Sequence, residues 1–281
     1  MSRSDPTDHL LHLHASKVRA GLQDRKVLWG SHPTPVQSTN AALTVAMSQR
    51  CSMAPQLAYG RHRGPVPKQV RQAAVLVAMF QHPELGWVVP LTRRPKHLDH
   101  HPGQICFPGG GVEQDEDHES AARREFTEEL GVPTTDAIVV GELSRIYVYA
   151  SRHRVTPVVC LMPQPTTSWI PDPSEVADVI EFPLTCLRQP ESQVVIREFA
   201  RVELKRPRDL GYISKGNFEI ESEPPSSRDF STRLSRDDAG KDAEMHLHFD
   251  APCYSYLGHH VWGATAMMLH ELSAALPSDF L

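Results

Sequence analysis

Three glutamates, Glu125, Glu128 and Glu129, stand at i, i+3 and i+4 in the run Arg124-Glu125-Phe126-Thr127-Glu128-Glu129-Leu130-Gly131-Val132. On a helix of 3.6 residues per turn they share an arc of about 100°. Carboxylates so crowded repel one another, and two of them sit in the last turn, where the helix dipole disfavours negative charge. The arrangement is a poor device for stability. It is a sensible site for a hard divalent cation such as Mg²⁺ or Mn²⁺, which takes a few carboxylate oxygens and completes its shell with water and phosphate. For three glutamates alone, the competing reading is a solvated acidic helix face.

The flanking residues weigh against that competing reading. Gly110 is followed by five residues, Glu116, seven residues, and then the run from Arg124. Seven fixed identities at about one in fifteen each recur by chance about once in 10⁸ starts. This pattern resembles the Nudix box, with Phe126 standing where the family usually carries an aliphatic residue. The resemblance implies metal-dependent hydrolysis of a diphosphate linkage by water attack on phosphorus. Glu125, Glu128 and Glu129 would bind the cation, and Glu116 would be a structural or outer ligand. Arg124 would hold the glutamates by charge-assisted bonds. Gly109 and Gly110 would admit the backbone close to metal and diphosphate. Two carboxylates, Glu128 and Glu175, stand open as the general base.

Residues ahead of the box extend the likeness. Leu91-Thr92-Arg93-Arg94, Leu98, His101, Gly103-Gln104 and Phe107-Pro108-Gly109-Gly110 resemble the added signature of the coenzyme A pyrophosphatases. Arg71 to Leu76, Val155 to Val159, Glu175-Val176 with Pro183-Leu184, and Val261 to Ala266 agree with the same branch. On this resemblance Arg94, His101, Gln104, Gly109 and Gly110 would contact a small nucleotide substrate, with phosphopantetheine and adenosine 3′,5′-bisphosphate as products. Asp99 departs from the branch, which has an arginine there; Lys96, His97, His100 or His101 could supply the missing cation. ADP-ribose, NADH and dinucleotides therefore stand as alternative substrates. A nucleotide-sensing module without catalysis is the reading from a different class, and a sensor has no need of the glutamate set.

These residues need a helix and a sheet to carry them. Asp117 is a good N-cap, and Gly131 stands where a left-handed C-cap belongs. Ala122, Phe126 and Leu130 form an apolar stripe that predicts a helix over about 118–130 lying on a sheet. Ala74 to Phe80 reads as a buried strand, and Trp87 to Thr92 as its hairpin partner across His82-Pro83-Glu84-Leu85-Gly86. A short extended piece spans Gln104 to Phe107. Further strands are expected at 137–148 and 154–162, a Pro-rich loop at 163–173, and a helix at about 264–276. Trp262 is expected to pack beside that helix. The pattern is consistent with α/β or α+β, and the resemblance implies a Nudix-type α/β/α sandwich around a mixed, curved sheet.

The chain has 281 residues and a net charge of −5, so no global basic character points to nucleic acid. An acidic protein that handles phosphates needs local cations or a metal. None of the five cysteines forms a CxxC pair, a usage that suits reduced thiols rather than zinc. Cys106 reads as a buried small hydrophobe. The N-terminus lacks an apolar signal core and no run approaches a membrane span, so a cytoplasmic protein with no membrane partner is expected. A homodimer is compatible with these features. Residues 1–66 read as an N-terminal extension that packs loosely or contacts a partner, with Leu10, Leu11, Leu13, Val18 and Leu22 along one side of a short helix. Residues 67–281 read as the catalytic domain, interrupted at about 194–244 by a polar insertion.

Overall fold

The computed structural model describes residues 6–29, 70–98, 101–148, 151–204, 233–234 and 243–281. Asp99, His100 and, of the five cysteines, Cys51 lie outside the described residues.

Among the described residues, twelve strands and three α-helices follow in chain order. They are α1 (Pro6–Trp29), β1 (Arg71–His82), β2 (Gly86–Arg93), β3 (Ile105–Cys106), β4 (Gly109–Gly111), α2 (His118–Leu130), β5 (Ile138–Glu142), β6 (Ile146–Val148), β7 (His153–Leu161), β8 (Asp178–Pro183), β9 (Gln193–Leu204), β10 (Arg233–Leu234), β11 (Ala243–Tyr256), β12 (His259–Trp262) and α3 (Gly263–Ala275). The main sheet runs β3-β2-β1-β7-β5, with β4 on β1, β6 on β7 and β8 on β2. Among the described residues only β1 and β7 pair in parallel in this sheet; its other ladders are antiparallel, so the sheet is mixed.

Alternation along β1 divides the core. Ala74, Leu76, Ala78 and Phe80 face α2, meeting Ala122, Phe126 and Leu130, all fully buried. Val77 and Met79 face the opposite side, where they join a cluster with residues of α1 and α3. A period of two on the strand thus sends successive side chains to two helical layers, and the fold is the α/β/α arrangement expected.

Helix α1 differs from the loosely packed appendage expected. Ala15, Val18 and Leu22 are buried in the main core, whereas Leu10 and Leu13 face solvent. His14 meets Trp87 and Phe280 edge-on, at ring distances of 5.1 and 5.5 Å. Lys17 Nζ pairs with Asp279 at 2.7 Å. Of the expected stripe only Val18 and Leu22 are buried, Leu10 and Leu13 turn outward, and the long-range partners at Trp87 and Phe280 carry no local signal.

The polar insertion also differs at its edges. β9 and β11 form a long antiparallel ladder from Gln193↔Tyr254 to Leu204↔Ala243, and β12 joins β11. Its composition hides these strands, because backbone pairing needs no apolar side chain. His246 and His248 lie on β11. Trp262 is half-buried and stands at the N-cap of α3. Among the described residues, no helix is long and apolar enough to cross a membrane.

Candidate metal centre

Helix α2 begins as its sequence demands. The Asp117 side chain accepts from the Ser120 amide at 2.7 Å, which holds its carboxyl below the usual range. Gly131 closes the helix at φ 68°, its amide donating to the Thr127 carbonyl at 2.9 Å. Caps at both ends fix the rotation of the helix, and the apolar stripe fixes the face it turns to the sheet.

The loop after β7 then caps α2 a second time. Ile170 and Asp172 donate their amides to the carbonyls of Leu130 and Glu129, each at 3.0 Å. The Asp172 carboxylate accepts from the Ser174 amide and hydroxyl at 2.9 and 2.7 Å, and the Glu175 amide donates to the Asp172 carbonyl at 3.1 Å. This turn carries Glu175 back over the glutamate face.

Glu125, Glu129 and Glu175 each bring a carboxylate oxygen within 4.8 Å of the other two. Glu129 is 4 % exposed. Its pKa is pushed up to about 8, first by burial and further by the charges of Glu175 and Glu125, against a hydrogen bond from the Gly109 amide and the charge of Arg94. Glu125 is also raised, again chiefly by burial. Glu125 and Glu129 therefore each sit in a place that disfavours their own charge. A cation among them removes that penalty, and a donor set made only of carboxylate oxygens suits Mg²⁺ or Mn²⁺ rather than a soft metal.

The glycines shape the floor. The Gly109 amide donates to Glu129 Oε1 at 3.3 Å. At φ 154° its hydrogen points at β1, where a β-carbon would meet the Ala74 carbonyl at 2.3 Å. Strand β4 pairs with β1 at this place, which explains why no side chain fits.

Arg124 organises the outer side. Its guanidinium donates to both oxygens of Glu116, at 3.1 and 3.0 Å, to Glu125 at 2.9 Å, to Glu128 at 3.1 Å and to the Gly111 carbonyl at 3.0 Å. The Glu116 bonds lead the causes that raise the arginine pKa and lower that of Glu116. Glu116 and Glu128 thus stand on Arg124, outside the carboxylate trio, while Glu175 enters it. The spacing on one helix could not show this, because rank in the trio depends on a loop 46 residues from Glu129. The usable signal was the Asp172-Pro173-Ser174 turn just before Glu175.

The remaining candidates border this centre. The Arg94 charge acts on both Glu129 and Cys106. Arg93 turns the other way and pairs with Asp178 at 3.2 Å, as alternation along β2 requires. Backbone bonds from Arg94 to Gln104 (2.9 Å) and from Gly103 to Arg94 (3.1 Å) close the loop that carries His101. His101 Nδ1 lies 2.9 Å from Gln104 Oε1. Cys106 is half-buried rather than fully so, and burial raises its thiol pKa.

Comparison with known proteins finds one family similar to this part of the chain. Residues 70–201 match the family model of the NUDIX domain. Curated proteins from Salmonella paratyphi B and Salmonella newport, each described as an uncharacterized Nudix hydrolase NudL, are 40 % identical over 115 residues. That match covers 41 % of this chain and 58 % of each relative, so the chain spans under two thirds of the length of the relatives it matches. A crystal structure of a C. elegans Ap4A hydrolase is similar at 18 % identity and a TM-score of 0.36, covering 41 % of this chain and 82 % of that one. The Nudix hydrolase RenU from M. smegmatis is similar at 22 % identity and a TM-score of 0.35, covering 41 % and 71 %. Over residues 70–201 this chain is thus similar to the NUDIX domain.

Proposed function

We propose that the chain hydrolyses a diphosphate linkage in coenzyme A or its derivatives, with a divalent cation held by Glu125, Glu129 and Glu175. The observation that carries this reading is the convergence of three carboxylates, one of them buried, from a helix and a separate loop. A bound Mg²⁺ or Mn²⁺ supplies charge neutralisation at the phosphoryl oxygens and activates water for attack. Arg124 holds Glu125 in place through its bond to Oε1, so that Glu125 would help hold the cation. Glu128 is 60 % exposed at the edge of the trio, and it is the carboxylate that takes the proton from the attacking water. As the water oxygen joins phosphorus, the bridging P–O bond breaks and the bridging oxygen leaves on the other phosphate. Arg94, His101 and Gln104 orient the phosphates, with Arg94 offsetting their charge.

Coenzyme A is favoured by the run from Leu91 to Gly110, read residue by residue. Asp99 favours a second reading, in which another nucleoside diphosphate derivative such as ADP-ribose, NADH or a dinucleotide is cleaved. The deciding experiment is a hydrolysis assay with Mg²⁺ in which coenzyme A, acetyl-coenzyme A, ADP-ribose, NADH and diadenosine polyphosphates compete side by side. Preferential release of adenosine 3′,5′-bisphosphate from coenzyme A supports the first reading. Turnover of another substrate alone supports the second. No turnover of any of them, with nucleotide still bound, leaves a sensing module.

A further inference from the structure

The loop that delivers Glu175 is also fastened at Trp169, six residues before it. Trp169 Nε1 donates to Glu181 Oε1, on β8, at 2.8 Å. The indole ring also meets Phe80 at 6.0 Å and Phe126 at 6.3 Å, so it rests on β1 and on the metal-site helix together. The second oxygen of Glu181 lies 3.6 Å from His82 Nε2. His82 Nδ1 accepts the amides of Glu84 and Leu85, each at 3.1 Å, which leaves the proton of the neutral ring on Nε2, facing Glu181. Phe80, His82, Trp169 and Glu181 line a polar cleft of about 240 Å³.

Trp169 directly precedes the segment that caps α2. The Ile170 and Asp172 amides bond the Leu130 and Glu129 carbonyls, and Glu175 follows from the Asp172 turn. Between Trp169 and Glu175 the loop residues are exposed or half-buried, so little apolar burial holds the segment in place. The indole bond is the side-chain anchor at its start.

We propose that Trp169 and Glu181 form a latch that positions Glu175 for cation binding, which makes both of them positioning residues. The proposal rests on the reading of Glu175 as a ligand. Without the bond the segment keeps its backbone contacts to α2 but loses its fixed start, and Glu175 samples positions outside the trio.

The test uses the full chain without substrate. Trp169→Phe keeps an aromatic ring and removes the donor. It is expected to speed amide exchange across 168–177 about tenfold and to weaken Mn²⁺ binding, read by paramagnetic resonance, by about the same factor, the weight of one hydrogen bond. Glu181→Leu removes the acceptor instead and is expected to match it. Glu181→Gln keeps an acceptor for Trp169 and should stay within about twofold of the parent on both readouts. On a Glu175→Gln background, Trp169→Phe should weaken Mn²⁺ no further, whereas general loosening of the fold would subtract again. If Glu175→Gln weakens Mn²⁺ binding while Trp169→Phe and Glu181→Leu leave it and the exchange unchanged, the latch is overturned and the ligand reading stands. If Glu175→Gln itself leaves Mn²⁺ binding unchanged, the ligand reading fails, and the latch fails with it.

Discussion

Gly110 and Glu125 face each other so closely that a β-carbon on Gly110 would lie 2.4 Å from the Glu125 carboxylate. The obstruction is the far end of a flexible side chain, so relief costs the fold little but moves the carboxylate out of the trio. Gly110→Ala is therefore expected to weaken Mn²⁺ binding and hydrolysis by about 10- to 100-fold, the loss of one charged ligand contact, with the unfolding temperature nearly unchanged. Gly109→Ala contrasts with it, because the obstruction there is β1 backbone and φ is 154°. That variant is expected to lower the unfolding temperature first. Paired thermal scans and Mn²⁺ titrations separate the two; an unfolding penalty as large for Gly110→Ala as for Gly109→Ala sinks the distinction.

Arg124 reaches Glu116 with two nitrogens and Glu125, Glu128 and Gly111 with the rest of its fork. An ammonium group has no such planar fork. Arg124→Lys is expected to lower kcat about 10- to 100-fold, corresponding to one lost charge-assisted bond, with a smaller change in KM. Full activity in the lysine variant would show that charge alone, not the fork, orders the glutamates.

The parts of this site that could be read from sequence are those fixed by local geometry. Asp117, Gly131 and the Ala122-Phe126-Leu130 stripe specify the helix, its ends and its buried face without any knowledge of the rest of the chain. The division of labour among the carboxylates could not be read this way. Glu116, Glu128 and Glu175 are sorted by where Arg124 reaches and where the 163–176 loop returns, and both depend on tertiary docking. Helix α1 shows the same limit. Its apolar positions are visible, but its place in the core depends on Trp87, Ala275 and Phe280. The β9–β11 ladder lay hidden because its polar residues satisfy backbone pairing as well as apolar ones do.

Glu129 is expected to make the metal-free protein sensitive to pH. Its pKa in the fold, about 8, lies above its ordinary value. A carboxyl raised in this way contributes stability that is complete below its unfolded pKa of about 4.3 and is lost as pH rises through about 8. With a chelator present, the unfolding temperature is expected to fall between about pH 5 and 8 more steeply for the parent than for Glu129→Gln. Saturating Mn²⁺ should reverse the slope, because the cation binds the deprotonated form and stabilises the fold that holds it. Parallel slopes for parent and variant in chelator would show that Glu129 ionises freely.

Gly21 sets two local effects against each other. It lies inside α1, where exchange of glycine for alanine favours the helix by about 0.8–1.0 kcal/mol. Yet a β-carbon there would lie 2.0 Å from the Ala275 carbonyl oxygen at the end of α3. Backbone cannot swing aside as a side chain can, and overpacking of this kind costs about 1–3 kcal/mol. The clash is expected to win, so Gly21→Ala should lower the unfolding temperature by a few degrees, at about 2–4 °C per kcal/mol for a chain of this size. Leu13→Ser, on the solvent face of the same helix at 50 % exposure, serves as the control and should stay within about 0.5 kcal/mol of the parent. A stabilised Gly21→Ala variant would mean that propensity governs α1 and that its contact with α3 is dispensable. A destabilised one, with Leu13→Ser neutral, makes the N-terminal helix an integral layer of the fold that carries the Glu125, Glu129 and Glu175 trio.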